Sequence, residues 1–142
     1  MSNFTSNLSS WDVSKVINMA YMFNGASNFN SNLSGWDVSK VTSMGNMFYG
    51  ATNFNQDLSA WDVSQVTDMT LMFNGAGLST YNYNSILDAW SKQAVQTSVS
   101  LGASPTQYGG CELNGPIGIA GRNKLMSEKS WTITDGGPAS LS

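Results

Sequence analysis

Histidine is absent from this 142-residue chain. With it go the commonest general base, the commonest transition-metal ligand and the side chain that changes charge near neutral pH. Charge of any kind is scarce: 11% of residues are Asp, Glu, Lys or Arg, against about a quarter in an average soluble domain. Six Lys or Arg stand against nine Asp or Glu, a formal net charge of −3. Phosphate backbones call for a cationic stripe, so no nucleic-acid partner is expected. The single cysteine, Cys111, leaves no internal disulfide and no second thiol for a zinc site. It is expected to be a small buried apolar residue. No apolar run nears the roughly 20 residues that span a bilayer, so no membrane insertion is expected. Polar Ser2 and Asn3 follow Met1 at once, unlike a signal peptide. The expectation is therefore a domain of a larger multidomain secreted chain, its signal and anchor lying elsewhere.

What the chain does have is Asn, Ser, Thr and Gly, arranged in a repeat. Phe4 to Ala26 reads FTSNLSSWDVSKVINMAYMFNGA, Phe29 to Ala51 reads FNSNLSGWDVSKVTSMGNMFYGA, and Phe54 to Ala76 reads FNQDLSAWDVSQVTDMTLMFNGA. The first two agree at 16 of 23 positions, which marks tandem copies of one 25-residue unit that stack to bury a shared core. Within a unit the apolar spacing changes. Trp61 and Val63 alternate around Asp62, the pattern of a short strand. Val66, Met69, Met72, Phe73 and Ala76 then fall on one stripe of a helix, with Ser64 as its cap and Gly75 near its end. Leu58 to Val63 also has the L-x-x-L-x-L spacing of a leucine-rich-repeat strand, although Val66 stands where the usual Asn would follow.

Beyond residue 77 the period breaks. Ile86, Leu87, Trp90 and Ala94 predict a helix over 83–94, and Val99 to Leu101 predicts a strand. Pro105 to Gly115 reads as loop, 119–129 as a second helix, and Trp131 to Ile133 as a strand. The expected fold is an α/β solenoid, leucine-rich-repeat-like, of about five coils, each with a short parallel strand and a short helix. Residues 1–77 supply three regular repeats and 78–142 two longer coils that cap them, in one continuous domain.

The recurring N-L-S-x-W-D-V-S-x-V-x-x-M-x-x-M-F-x-G-A and the closing W-T-I-T-D-G-G resemble the BspA-like leucine-rich repeat family, a bacterial surface-protein repeat of about 25 residues. That resemblance implies an extracellular or cell-surface bacterial protein, with adhesins among its relatives. It implies no catalytic residues and carries over no ligand-binding position.

Candidate binding residues come instead from columns that stacking would create. Asp12, Asp37 and Asp62 recur at one repeat position and would lie about 4.8 Å apart, close enough to repel. Either each caps its own turn through the N–H groups near Ser14, Ser39 and Ser64, or together they form an acidic stripe for a cation or a basic ligand. Either Ser14, Ser39 and Ser64, with Ser10, Gly35 and Ala60, leave a smooth strand face suited to an extended peptide or glycan, or they are small only because adjacent coils crowd there. Tyr81, Tyr83 and Tyr108 stand outside the repeat beside Asn82, Asn84 and Gln107, a composition common in binding loops. The Met stripe (Met19, Met22, Met44, Met47, Met69, Met72) and Trp11, Trp36 and Trp61 read as core.

No cofactor and no metal are expected, since no calcium-loop pattern occurs. No nucleophile and base can be paired without His, and no two carboxylates stand out as matched acid and base, so no enzyme is expected. The function expected is a ligand-binding or adhesion module for an extracellular protein, peptide or glycan. The alternative is a structural spacer with no ligand of its own.

Overall fold

The computed structural model describes residues 8–110 and 118–139. Cys111, the loop residues as far as Gly115, and Phe4 with the rest of the first unit's start lie outside the described residues.

The three repeats stack in layers 25 residues apart, and each layer is made of tight turns. Met19, Tyr21, Phe23 and Gly25 donate their backbone N–H groups to Ser43, Gly45, Met47 and Tyr49 of the next unit, at 2.7–2.9 Å. Met44, Asn46, Phe48 and Gly50 repeat the pattern onto Asp68, Thr70, Met72 and Asn74. The intervening Met22, Asn24 and Ala26 N–H groups bond three residues back, to Met19, Tyr21 and Phe23. A helix needs every N–H for its own i−4 carbonyl. Here every second one leaves for the neighbouring layer, so the stripe from Val66 to Ala76 cannot be helical. Left-handed backbone recurs at Tyr21, Asn46 and Leu71 (φ 56–63°) and at Gly25, Gly50 and Gly75 (φ 72–74°), and it interrupts any regular helix.

This overturns the expected α/β solenoid of about five leucine-rich-repeat-like coils. The described residues contain two helices and two three-residue strands, none of them within the repeats. The Trp61–Val63 segment is no strand either: Gln93 reaches it instead, donating to the Trp61 carbonyl at 2.8 Å and accepting from Val63 N–H at 2.9 Å. Parallel pairing inside the repeats shrinks to single-residue bridges, Asn18 with Ser43 and Ser43 with Asp68.

The regular elements all follow the repeats. Helix α1 spans Thr80–Ser91, and Ser79 caps it by accepting from Asn82 N–H at 3.1 Å. Its buried stripe is Tyr83, Ile86, Leu87 and Trp90. Strand β1, Ser100–Gly102, pairs in parallel with β2, Thr132–Thr134, matching Leu101 to Ile133. Helix α2, Gly118–Glu128, packs on α1 through Gly118, Gly121 and Leu125. A Cβ on Gly121 would sit 2.6 Å from the Leu87 carbonyl oxygen, so glycine is what lets the helices close.

The core is a set of stacked columns. Phe23, Phe48 and Phe73 lie 5.6 and 5.7 Å apart with nearly parallel rings, and Phe29 sits over Phe54 at 5.9 Å. The indole N–H groups of Trp36, Trp61 and Trp90 each reach back one layer, to the carbonyls of Leu8, Leu33 and Leu58. Met19, Met44, Met47, Met69 and Met72 are buried as expected, with Met22 half-buried. The Asn and Asp content serves the turns. Asp12, Asn18, Asn32, Asp37, Asp57, Asp62 and Asp68 each accept from the N–H two residues on, at 2.8–3.0 Å.

Candidate binding surface

Outward from the buried column Met69, Leu101 and Ile133, alternate residues turn to solvent, among them Thr70, Ser100, Thr132 and Thr134. Gly102 lies between them and has no room for a side chain, because a Cβ there would come within 2.6 Å of the Leu71 Cα. The missing side chain leaves a groove of about 170 Å³, walled by Leu71 and Asn74 on one side and Thr132 and Thr134 on the other. A second, more open groove of about 370 Å³ adjoins it, walled by Tyr49, Thr52, Asn74 and Pro105. Its floor is Gly50 and Gly75, whose left-handed backbone brings successive layers close together. Asn74 belongs to both grooves. Its Oδ1 accepts from Ser104 N–H at 3.3 Å, which orients the amide. No Asp, Glu, Lys or Arg lines either groove, and Tyr49 offers an aromatic ring that is 43% exposed.

The residues singled out from sequence lie elsewhere. Asp12, Asp37 and Asp62 are exposed, and Ser14, Ser39 and Ser64 half-buried beside them; none lines either groove. Each Asp accepts from the backbone N–H of its Ser at 3.0 Å, and the Ser14 and Ser39 hydroxyls add bonds of 2.6 Å. Those hydroxyl bonds, and then the backbone bonds, hold the Asp12 and Asp37 carboxyls below the usual carboxylate range. The geometry is that of a self-capped turn. Among the described residues no group of three potential metal ligands converges.

The three tyrosines do not form one loop surface. Tyr81 is exposed on α1, Tyr83 is fully buried, and Tyr108 is half-buried. Tyr83 and Tyr108 are brought together by two residues the sequence reading passed over. Asp135, its side chain 2% exposed, accepts from the Tyr83 hydroxyl at 2.8 Å and from Arg122 Nε at 2.9 Å. The Arg122 guanidinium lies 4.2 Å from the centre of the Tyr108 ring. Burial, and next the charge of Asp135, push the Tyr83 hydroxyl well above its ordinary pKa. Burial works against the Arg122 charge, but its hydrogen bond to Asp135 and that carboxylate's charge outweigh it and raise its pKa. This cluster ties α1, α2 and the chain after β2 together. Its place at the end of W-T-I-T-D gave no sign of it, because the partners lie 52 and 13 positions away.

The grooves were missed for a different reason. The small residues Ser10, Gly35 and Ala60 are exposed but flank the Trp turns and line neither groove. The informative ones were Gly50, Gly75 and Gly102.

Residues 1–105 match the family described as Mycoplasma protein of unknown function, DUF285. No curated protein and no solved structure matches the chain. The match takes in all three repeats and runs to Pro105, about three-quarters of the sequence. The chain belongs to that family.

Proposed function

We propose that this DUF285-family chain is a non-catalytic binding module of a bacterial secreted or cell-surface protein of the BspA-like kind. Its ligand is a neutral polar one, a glycan or an extended peptide of an extracellular partner. The observation that carries this reading is the lining of the two grooves meeting at Asn74: hydroxyls, an amide and the exposed Tyr49 ring, with no ionised group. Neutral hydroxyl and amide groups pair with sugar hydroxyls or peptide groups, and an aromatic ring covers an apolar sugar face. The absence of His from the sequence supports the non-catalytic half of the reading.

The test is a glycan and extended-peptide array probed with the whole chain, with Tyr49→Ala and with the double variant Thr132→Val, Thr134→Val. These side chains are exposed, so the fold should survive. The expected result is binding that each variant weakens at least about tenfold, the scale of one or two lost hydrogen bonds. Binding that ignores both variants would remove the grooves from the proposal. The spacer reading is favoured by one observation: no buried side-chain polar atom among the described residues lacks a partner. A well-folded sample that binds nothing on the arrays would leave that reading standing.

A further inference from the structure

Tyr49, Asn74, Ser104 and Thr134 stand in four successive layers. Gly50 N–H donates to the Asn74 carbonyl at 2.9 Å, Gly75 to Ser104 at 2.8 Å and Ala103 to Thr134 at 2.8 Å. The two grooves that meet at Asn74 therefore run across the layers as one path, about 14 Å long at the usual spacing between paired strands. The hydrogen-bonding groups along it are unevenly used. Every N–H of the residues lining the wider groove is bonded within the chain, and Pro105 has none. In the narrower groove the Leu71 N–H has no acceptor among the described residues, although Tyr21 and Asn46 at the same repeat position donate to Gly45 and Thr70 at 2.9 Å. The chain after the third unit departs from the 25-residue step, and no carbonyl of the next layer meets that amide. A Cβ on Gly102 would fall 2.7 Å from the Leu71 nitrogen and 2.7 Å from Asn74 Oδ1, so both border the space that this glycine leaves. Asn74 Nδ2 also has no acceptor among the described residues, and it is reached by solvent, since every buried side-chain polar atom there has a partner.

We infer that the ligand of this site is a neutral oligosaccharide lying across the four layers, with one sugar ring on the Tyr49 ring. Its hydroxyl oxygens accept from the Leu71 N–H, from Asn74 Nδ2 and from the Thr132 and Thr134 hydroxyls. The inference rests on the binding-module reading and narrows it to one class of ligand. A backbone N–H left open beside an open amide group is a pair of donors that a sugar oxygen can satisfy. An extended peptide is recognised mainly by pairing along a strand edge, with donors and acceptors alternating. The wider groove has no backbone donor left to offer such a peptide, whereas its Tyr49 ring and Thr52 hydroxyl suit a sugar face and its rim. The length of the path favours a chain of sugars over a single ring.

The experiment titrates the whole isotope-labelled chain with neutral tetrasaccharides of glucose, mannose, galactose and N-acetylglucosamine, with the corresponding single sugars, and with uncharged extended peptides rich in Ser and Asn. Nuclear magnetic resonance follows the Leu71 backbone amide and the Asn74 side-chain amide. The expected result is that at least one tetrasaccharide shifts both signals and that its single sugar binds at least about tenfold more weakly. Tyr49→Ala should weaken the tetrasaccharide by a similar factor, and Tyr49→Phe, which keeps the ring, should restore it. Peptides that shift both signals where no tetrasaccharide does would overturn the inference and leave the grooves as the binding site. A tetrasaccharide that binds without moving either signal would overturn both the inference and the groove reading. Silence from every probe would overturn the inference and favour the spacer.

Discussion

Trp61 shows how one residue position couples two layers. Its ring is fully buried against Phe48, and its indole N–H holds the Leu33 carbonyl of the preceding unit at 2.9 Å. Trp61→Phe removes that bond and leaves a smaller ring in the same space. We expect a loss of about 2 kcal/mol, from the bond and the lost packing together. Trp11→Phe, at an exposed position, should cost less than about 0.5 kcal/mol. Urea unfolding of the two variants makes the comparison, and equal losses would mean that the ladder of indole bonds contributes nothing. Tyr83 supplies a second residue-scale expectation. Its hydroxyl stays protonated in the folded chain well past the ordinary phenol range, whereas the unfolded chain releases that proton near pH 10, the ordinary tyrosine value. Its contribution is therefore fully present below about pH 10 and declines as pH rises further, by at most about 1.4 kcal/mol per pH unit. Urea midpoints taken between pH 9 and 11 should fall with pH, and less steeply in Tyr83→Phe. Parallel slopes would place the alkaline loss elsewhere.

Among the elements, the two helices were legible and the repeats were not, for one physical reason. Ile86, Leu87 and Trp90 sit on a helical stripe with Ser79 free to cap, and no layer partner claims the amides of that segment, so the helix expected over 83–94 is present, displaced by three residues to Thr80–Ser91. Val66, Met69, Met72 and Phe73 sit on an equally good stripe. Apolar spacing of three and four follows equally from a run of three-residue turns, each with its N–H bonded three back. Spacing reports which side chains face the core and not where the amides go. The counter-signal was present in the Asn and Asp before each turn and in the recurrent Gly25, Gly50 and Gly75, which favour turns over helix. The short strands expected at 99–101 and 131–133 lie within one residue of the observed Ser100–Gly102 and Thr132–Thr134. Their pairing depends on contacts 32 positions apart, which no local pattern carries. If α1 depends on its cap as this implies, Ser79→Ala should lower stability by about 1 kcal/mol. The lost helical signal in far-UV circular dichroism should be confined to that one helix, so a larger loss would mean that the repeats themselves contribute helix.

Among the described residues, charge and the two grooves are separate. The net charge is −3, and three carboxylates, Asp12, Asp37 and Asp62, sit in turns away from both grooves. Asn18 and Asn32 make the same two-residue bond with an amide oxygen, so asparagine can serve the turn where aspartate does. Replacing all three carboxylates by Asn should therefore leave the fold within about 1 kcal/mol of the parent, since exposed substitutions that keep their bonds change little. The formal charge rises from −3 to 0. A ligand held by hydroxyls, an amide and an aromatic ring should bind this variant as it binds the parent, with affinity changing less than about twofold between 50 and 500 mM salt, because screening acts on ion pairs and hardly on neutral contacts. Measured affinities for the array ligand in the two proteins at the two salt concentrations decide the matter. A steep loss with salt in the parent, abolished in the triple variant, would move recognition from the grooves at Asn74 to the acidic column and make the ligand basic.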